Sequence, residues 1–378
     1  MKFAALTLAL ASTALGQSLQ EVLANNTQLS QLANLAGPFL NSLPTTGAIT
    51  VLAPNNAAVG AFLSSPGANS TSQDVVSALL SYHVLQGNYT TIPNVSFIPT
   101  NLQPGAFAGV TGGQRVHAVP NNGSFSLFSG LLQNSTVNGS AIPFNNGVVH
   151  VLNQFLTIPQ NITTTGVALN LTSAVGAIGQ LGLGQTLAGQ SDLTYFIPNN
   201  AAFERIGGNL ANLSSADLTQ ILQYHVVAAG QPLYSTNLMN GSSVRSLQGG
   251  NLTARIVGSD VFINNARVLT ANVLVANGVV HVIDRVLNPS NSTIVPNTAT
   301  TAEAFPSATS ASNVPFTSGV PTPTSTIATQ SAPGPQGSQS SATSGGSSSS
   351  SGAAWQPAAT GAMGMGALFG GAALVMNM

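Results

Sequence analysis

TVLAPNNAA, at residues 50–58, returns at residues 194–202 as TYFIPNNAA. The apolar run that ends at Pro54 predicts a buried β-strand, because proline and asparagine terminate strands and asparagine side chains bond nearby backbone groups. The alanines that follow predict the start of a helix. A strand that leads directly into a helix, found twice in one chain, indicates a duplicated domain.

Two further blocks recur in the same order. Tyr-His-Val occurs at 82–84 and at 224–226, and Asn-Gly-Val-Val-His-Val occurs at 146–151 and at 277–282. Three ordered blocks, each present twice, predict two copies of one domain over residues 17–159 and 160–289. The first copy is longer by 11 residues between its second and third blocks. We place this extra length at Phe125–Phe144 and expect a hairpin or surface loop there.

Each copy is predicted to belong to the α+β class. Residues 76–83 and 218–225 carry apolar side chains at i, i+3 and i+4 and a histidine at i+7, which is typical of one buried helix face. The Ser-x-x-Asp sequence at 214–217 predicts a helix cap. Strand patterns follow later, at 252–274 in the second copy. Helices that come before clustered strands favour α+β over a doubly wound sheet.

This arrangement resembles the fasciclin-like domain family. The resemblance rests on residues 50–58 and 194–202, on the two Tyr-His pairs, and on residues 146–156 and 277–287. It implies a β-sandwich or wedge with packed helices, in proteins attached to cell surfaces or matrix. The motif residues, to which we assign a mainly structural role, are Pro54, Asn55, Tyr82, His83, Gly147, His150, Pro198, Asn199, Tyr224, His225, Gly278 and His281.

The composition excludes several functional classes. Only 4% of the 378 residues are charged and the net charge is −1, whereas soluble domains usually carry about 25% charged residues. Seven basic residues cannot form the positive surface that nucleic acids require. The absence of cysteine excludes disulfides, iron–sulfur clusters and thiol catalysis. Something other than ionic side chains must therefore keep this chain in solution.

Glycans attached at N-glycosylation sequons would keep this chain in solution. In a secreted chain each Asn-x-Ser/Thr is an acceptor for a hydrated glycan that must lie on the surface. The first copy is poorest in charge and carries seven of them. The candidates are Asn25, Asn69, Asn88, Asn94, Asn122, Asn134, Asn138, Asn161, Asn170, Asn212, Asn240, Asn251 and Asn291.

Both ends of the chain carry predicted processing signals. A basic residue followed by an apolar run, too short for a membrane span, predicts a secretory signal peptide over residues 1–16. Residues 290–351 are rich in Ser, Thr, Pro and Gly, which predicts a disordered, O-glycosylated stalk. Small residues and an apolar tail at 352–378 predict glycosylphosphatidylinositol (GPI) attachment at Ser351 and removal of the tail. A single-pass helix is disfavoured because the tail is short and glycine-rich.

Four of the five histidines recur with the repeat, which allows two interpretations. They could form a metal or catalytic site in each copy, or they could satisfy buried backbone groups through their ring nitrogens. The sequence contains no HExxH motif or i, i+4 histidine pair to support zinc. We therefore favour the structural role, and we assign no cofactor, metal ligand or catalytic residue.

The expected function is that of a non-enzymatic glycoprotein, GPI-anchored at the extracellular face of the plasma membrane and cell wall. Its two domains would mediate adhesion to cell-wall or matrix components, other surface proteins or glycans, an activity implied by the resemblance. A patch formed by Phe125–Phe144 is one candidate contact. Two alternatives stay open: a structural wall mannoprotein with no specific ligand, and a polysaccharide-acting enzyme with two carboxylates roughly 5 to 9.5 Å apart in a cleft.

Overall fold

The computed structural model describes residues 16–44, 46–65, 71–210, 212–292, 303–305 and 307–323. The helices of the first domain are α1 (Leu19–Asn25), α2 (Ser30–Leu40), α3 (Asn56–Leu63) and α4 (Gln73–Tyr82). Its strands are β1 (Ile49–Pro54), β2 (Val84–Gln86), β3 (Ser96–Pro99), β4 (Arg115–Asn121), β5 (Ser124–Phe128), β6 (Asn134–Phe144) and β7 (Gly147–Leu152).

The second domain repeats this order. Its helices are α5 (Ile162–Ala168), α6 (Thr172–Gln180), α7 (Leu183–Ala188), α8 (Asn200–Arg205), α9 (Gly207–Leu210) and α10 (Ser215–Tyr224). Its strands are β8 (Leu193–Pro198), β9 (Val226–Ala228), β10 (Ser243–Arg245), β11 (Asn251–Val257), β12 (Asp260–Ile263), β13 (Ala266–Val275) and β14 (Gly278–Ile283). The capping box predicted ahead of α10 is confirmed.

Each domain is built on one seven-stranded sheet. The strand orders are β2-β1-β7-β6-β5-β4-β3 and β10-β11-β12-β13-β14-β8-β9. Neighbouring strands are antiparallel except for the parallel pairs β1–β7 and β8–β14. Backbone bridges between Leu85 and Thr100 and between Val227 and Ser246 join the two end strands. The sheet therefore closes into a barrel-like form, and the predicted α+β class and tandem domains are confirmed.

In each domain, the last strand of the central parallel pair, β7 or β14, must begin with glycine. A Cβ atom on Gly147 would lie 1.7 Å from the carbonyl oxygen of Ile49 on the neighbouring strand. A Cβ atom on Gly278 would lie 1.8 Å from the carbonyl oxygen of Leu193. No side chain fits at either position. The Asn-Gly that opens the third sequence block is therefore a steric condition for pairing the first strand with the last.

The two asparagines of each Pro-Asn-Asn block cap two different helices. Asn55 Oδ1 accepts a hydrogen bond from the first turn of α3 at 2.9 Å. Asn56 Oδ1 accepts one from the N–H of Gln31, in the first turn of α2, at 3.0 Å, and α2 has no side-chain cap from the residue that precedes it. Asn199 and Asn200 repeat both bonds for α8 and α6. Each block thus joins the end of a buried strand to two helices.

The extra length of the first domain is divided between two places, and the prediction of a hairpin at Phe125–Phe144 is right for one of them. Residues 124–144 form β5, β6 and their connection, and they are five residues longer than the counterpart at 260–275. The two strands pair with β4 and β7 and match β12 and β13. The other six residues precede β4, where the connection at residues 100–114 is longer than its counterpart at 246–250. The spacing of the repeated blocks gives only the total length between two blocks, and it does not show where between them the extra residues lie. Several side chains of β6 are exposed, so a contact patch at Phe125–Phe144 stays a prediction.

Part of the predicted stalk is folded. Residues 303–305 and 307–323 lie against the second domain, and Ala304 and Phe305 belong to its core. The prediction of disorder is therefore wrong for these residues, because a few apolar anchors in a Ser/Thr/Pro-rich segment are enough to dock it. The remaining residues from 324 to Ser351, the tail at 352–378, residues 1–15 and Asn69 lie outside the described residues.

We expect Gly147→Ala to abolish folding of the first domain, at a cost of at least about 4 kcal/mol, because the new methyl group would overlap the β1 backbone. Gly37→Ala is the matched control. Gly37 lies within α2 with open space where a Cβ atom would stand, so alanine there should be neutral or stabilising by up to about 1 kcal/mol. Thermal unfolding of both variants measures the difference, and equal stability would contradict the steric account.

Candidate functional site

The Tyr-His block lies at the C-terminal end of a helix in each domain. In the first domain, the Nδ1 atom of His83 donates to the carbonyl oxygen of Leu79 at 2.7 Å. Its Nε2 atom accepts from the N–H of Leu156 at 2.9 Å. One nitrogen donates and the other accepts, so the ring is neutral with its proton on Nδ1. His83 is 3% exposed, and Phe155 packs against it at 5.1 Å.

The second domain repeats this geometry. The Nδ1 atom of His225 donates to the carbonyl oxygen of Ile221 at 2.7 Å, and its Nε2 atom accepts from the N–H of Leu287 at 2.9 Å. In both domains the imidazole ties the end of a helix to the chain that follows the last strand. Neither ring has a nitrogen left for a metal ion or a substrate.

The histidines of the third block fix a loop. The Nε2 atom of His150 donates to the carbonyl oxygen of Tyr89 at 2.7 Å, and the N–H of Tyr89 donates to Thr50 Oγ1 at 2.8 Å. His281 makes the same bond to Leu233 at 2.8 Å. The Nδ1 atoms of both rings are buried without a hydrogen-bond partner among the residues that the structure describes. Each of these rings uses one nitrogen, which bonds to the loop that follows β2 in the first domain or β9 in the second.

The tyrosines of the second block reach across their domains. The hydroxyl of Tyr82 donates to the carbonyl oxygen of Arg115 at 2.8 Å, and that of Tyr224 donates to the carbonyl oxygen of Asn251 at 2.8 Å. Pro54 and Pro198 end β1 and β8. Within the described ranges, no group of three or more histidine or acidic side chains is placed to hold a metal ion.

Burial keeps the histidines neutral. Loss of solvation lowers the pKa of His83, His117, His225 and His281 to about 4. It also lowers the pKa of His150. At ordinary pH these rings therefore carry no charge. They differ in this from a general acid or base, whose pKa is tuned close to the working pH.

Most of the acidic side chains serve the fold. Glu21 and Asp217 close capping boxes, and Asp260 pairs with Arg267 at 2.8 Å. Asp284 and Glu303 both pair with Arg285, at 3.3 and 2.7 Å. For Asp74 and Glu204, which lie in different domains, no side-chain partner is seen in the described part of the chain.

An apolar cleft opens in the second domain between α6, α7 and α10. Its empty volume is about 560 Å³, part of it open to solvent. Side chains such as Ile178, Leu187 and Leu222 form its walls, and no Asp or Glu is among the described residues that line it. The cleft therefore lacks the two carboxylates that glycoside hydrolysis requires.

A model of the fasciclin domain matches residues 23–159 and 169–289. The chain belongs to the fasciclin family. A fasciclin-like arabinogalactan protein of Arthroderma benhamiae is 35% identical over 335 residues, which cover 84% of this chain and 78% of that protein. A second one, of Phaeosphaeria nodorum, is 29% identical and covers 74% of this chain and 91% of its own length. A solved FAS1 domain pair from the insect cell adhesion molecule fasciclin I aligns with a TM-score of 0.35 and 14% identity, over 72% of this chain and 100% of that one.

The sequons of the fasciclin domains lie on the surface. Twelve of the thirteen sequon asparagines fall within the described residues; eleven of these are exposed and Asn291 is half-buried. The buried asparagines Asn264, Asn265, Asn272 and Asn277 are not in sequons. The sequons thus avoid the asparagines that are buried in the fold.

The long connection of the first fasciclin domain docks on the second, along what we call the interdomain seam. The N–H of Gly109 donates to the carbonyl oxygen of Ala276 at 2.7 Å, and the N–H of Asp192 donates back to Gly109 at 3.1 Å. The carboxylate of Asp192 accepts from the N–H and the hydroxyl of Thr111, at 2.9 and 2.5 Å. Gln114 Nε2 donates to Ala276 at 3.1 Å. Asp192 is 6% exposed.

An aromatic stack extends the seam. The ring of Phe97 lies between those of His117, in its own domain, and Tyr234, in the other, with centroid distances of 4.5 and 4.0 Å and interplanar angles of 11°. Phe97 also packs on the buried side chains of Leu274 and Val279. Sequence reasoning missed the seam, and the only signal for it was the extra length of the first copy.

Lowering the pH from 7 to 5 should destabilise both fasciclin domains. An unfolded histidine takes up a proton near pH 6.5, but the buried ones do so only near pH 4. The unfolded chain therefore binds more protons in this window, and the free energy of unfolding falls as the pH falls. The expected loss between pH 6.5 and 5 is about 2 kcal/mol for each such histidine. Urea unfolding at both pH values measures it.

The control for this experiment is His225→Gln, which removes one titrating ring and retains hydrogen-bonding capacity. It should reduce the pH dependence of the second domain and leave that of the first unchanged. If the wild-type unfolding free energy were the same at pH 7 and pH 5, the rings would already titrate like solvent-exposed histidines, and the buried-ring account would fail.

Asp192→Ala should loosen the domain pair, because it removes the acceptor for two hydrogen bonds from Thr111, worth about 2 kcal/mol. The chain has no cysteine, so spin labels can be placed on Ala57→Cys and Ala201→Cys, one exposed site in each domain. The interdomain distance distribution should broaden in Asp192→Ala but not in Asp74→Ala, whose carboxylate is exposed on α4. Equal widths would show that the seam does not hold the domains.

Proposed function

We propose that this protein is a non-enzymatic cell-surface glycoprotein whose two fasciclin domains mediate adhesion or association with the cell wall or matrix. In this proposal residues 1–16 direct secretion, a GPI anchor at Ser351 holds the chain at the extracellular face of the membrane, and residues 352–378 are removed. Its partners are wall or matrix components, other surface proteins or glycans. Among the described residues no helix is long and apolar enough to cross a membrane.

The exposure of the sequons carries this proposal. Eleven sequon asparagines stand on the surface of a chain that has only 4% charged residues. Glycans at these positions would supply the hydration that ionic side chains provide elsewhere, and such glycans are added only in the secretory pathway. Two fungal relatives named as fasciclin-like arabinogalactan proteins support a place at the cell surface.

The state of the motif residues supports a role in folding and not in chemistry. Both nitrogens of His83 and His225 are bonded to backbone groups. A ligand could bond to these ring nitrogens only by replacing a hydrogen bond to the backbone. Adhesion must therefore use the outer surface of the domains.

A structural wall glycoprotein without a specific ligand is the second candidate. The density of sequons on the first domain favours it, because glycans at Asn88, Asn94, Asn122, Asn134 and Asn138 would cover much of the surface that a protein partner needs. The two candidates differ in what the bare domains do. An adhesive domain binds without its glycans, and a wall glycoprotein acts through them.

The test treats intact cells with phosphatidylinositol-specific phospholipase C and analyses the released protein by mass spectrometry. We expect release, a glycolipid remnant on Ser351, and glycans on most exposed sequons. The released protein, before and after enzymatic deglycosylation, is then bound to fresh cells. Retained binding after deglycosylation supports adhesion, and lost binding supports the wall-glycoprotein candidate. A chain that keeps residues 1–16 and carries no glycan would contradict both.

A further inference from the structure

Residues 303–305 and 307–323, here called the strap, run over a groove on the second fasciclin domain. The N–H of Gly208 donates to the carbonyl oxygen of Thr309 at 2.9 Å, and the N–H of Ala311 donates to the carbonyl oxygen of Glu204 at 2.8 Å. The hydroxyl of Ser173 donates to the carbonyl oxygen of Pro315 at 2.8 Å. These bonds hold the backbone of the strap to α6, α8 and α9.

The groove has room for the strap only because three of its residues are glycine. A Cβ atom on Gly176 would lie 1.7 Å from the carbonyl oxygen of Phe316. Cβ atoms on Gly207 and Gly208 would lie 2.2 Å from the Cβ of Ala311 and 2.0 Å from the Oγ1 of Thr309. Any side chain at these positions would fill the space in which the strap lies.

Apolar and ionic contacts anchor both ends of the strap. Ala304 and Phe305 are buried at one end, where Glu303 pairs with Arg285 at 2.7 Å. Towards the other end the ring of Phe316 meets that of Phe203 edge-on at 6.2 Å. The strap thus combines buried anchors with backbone hydrogen bonds, which is how extended peptides are bound by folded domains.

The first domain offers no such groove. The repeat places Asn34, Leu63 and Ser64 where the second domain has Gly176, Gly207 and Gly208. All three are exposed, and Leu63 is one of the few large apolar side chains on the surface. The same framework therefore lacks the groove when larger residues occupy these three positions, and no described segment covers it there.

We propose that the glycine-lined groove of the second domain is a peptide-binding surface whose occupant is this chain's own strap, bound in cis. The second folded unit then extends to residue 323, and the rest of the chain continues from the groove. If the C-terminus is anchored, a step that rests on the proposed function, tension from the membrane reaches the strap before it reaches either sheet. The strap is then the first element to detach.

Hydrogen–deuterium exchange on the secreted full-length chain tests the proposal whether or not an anchor is present. In the wild type the amides of Thr309 and Ala311 should be protected, because both donate hydrogen bonds to the groove. Gly207→Val should raise their exchange by about tenfold or more. Phe316→Ser, which alters only the strap, should do the same without touching the groove. Ser64→Val, the matched change in the first domain, should alter nothing.

Wild-type strap amides that exchange as fast as those of a free peptide would overturn the proposal. So would equal protection in the wild type, Gly207→Val and Phe316→Ser. Size-exclusion chromatography with light scattering decides the occupant. A monomer with a protected strap supports binding in cis, whereas a dimer whose strap loses protection on dilution would show that a second copy fills the groove and would refute the cis assignment.

Discussion

In each domain a neutral imidazole is buried at the end of one helix, and the rest of the domain is arranged around it. Its Nδ1–H satisfies a carbonyl of the last helical turn and its Nε2 satisfies an N–H just beyond the last strand. Without the ring both backbone groups would be buried and unpaired, at about 1–3 kcal/mol each. That N–H belongs to the segment just after β7 or β14, so the bond also holds this segment against the end of the helix. This histidine is the residue of the sequence that most resembles a catalytic group, and both of its ring nitrogens are used by the fold.

The two domains share this framework and differ in what is added to it. The first carries the long connection at 100–114, which docks on the second domain through Thr111 and Asp192. The second carries glycines that admit the strap, where the first has Asn34, Leu63 and Ser64. Together these additions link the first domain, the second domain and the strap. A protein that works by being presented outside the cell benefits from such continuity.

The sequence predicts the framework well because its signals are local or repeated. The Pro-Asn-Asn block predicts a strand end and a helix start from three residues, and its recurrence predicts the duplication. It cannot show that Asn56 caps α2, a helix that precedes it in the chain, because that bond depends on how the helix packs. The docking of residues 100–114 on the second domain and that of Phe305 and Phe316 cannot be predicted from the sequence either, because both depend on a surface made elsewhere in the chain.

Nitrogen-15 NMR of the histidine rings tests the central claim most directly, because the ring shifts distinguish the two neutral tautomers from the charged form. At pH 5.5 the account predicts neutral rings at His83, His225 and His281, and at pH 7 it predicts a neutral ring at His150 as well. His83 and His225 should carry the proton on Nδ1, and His150 and His281 should carry it on Nε2. A charged ring at this pH for His83 or His225, or a proton on its Nε2, would contradict the account and return these residues to the list of candidate reactive groups.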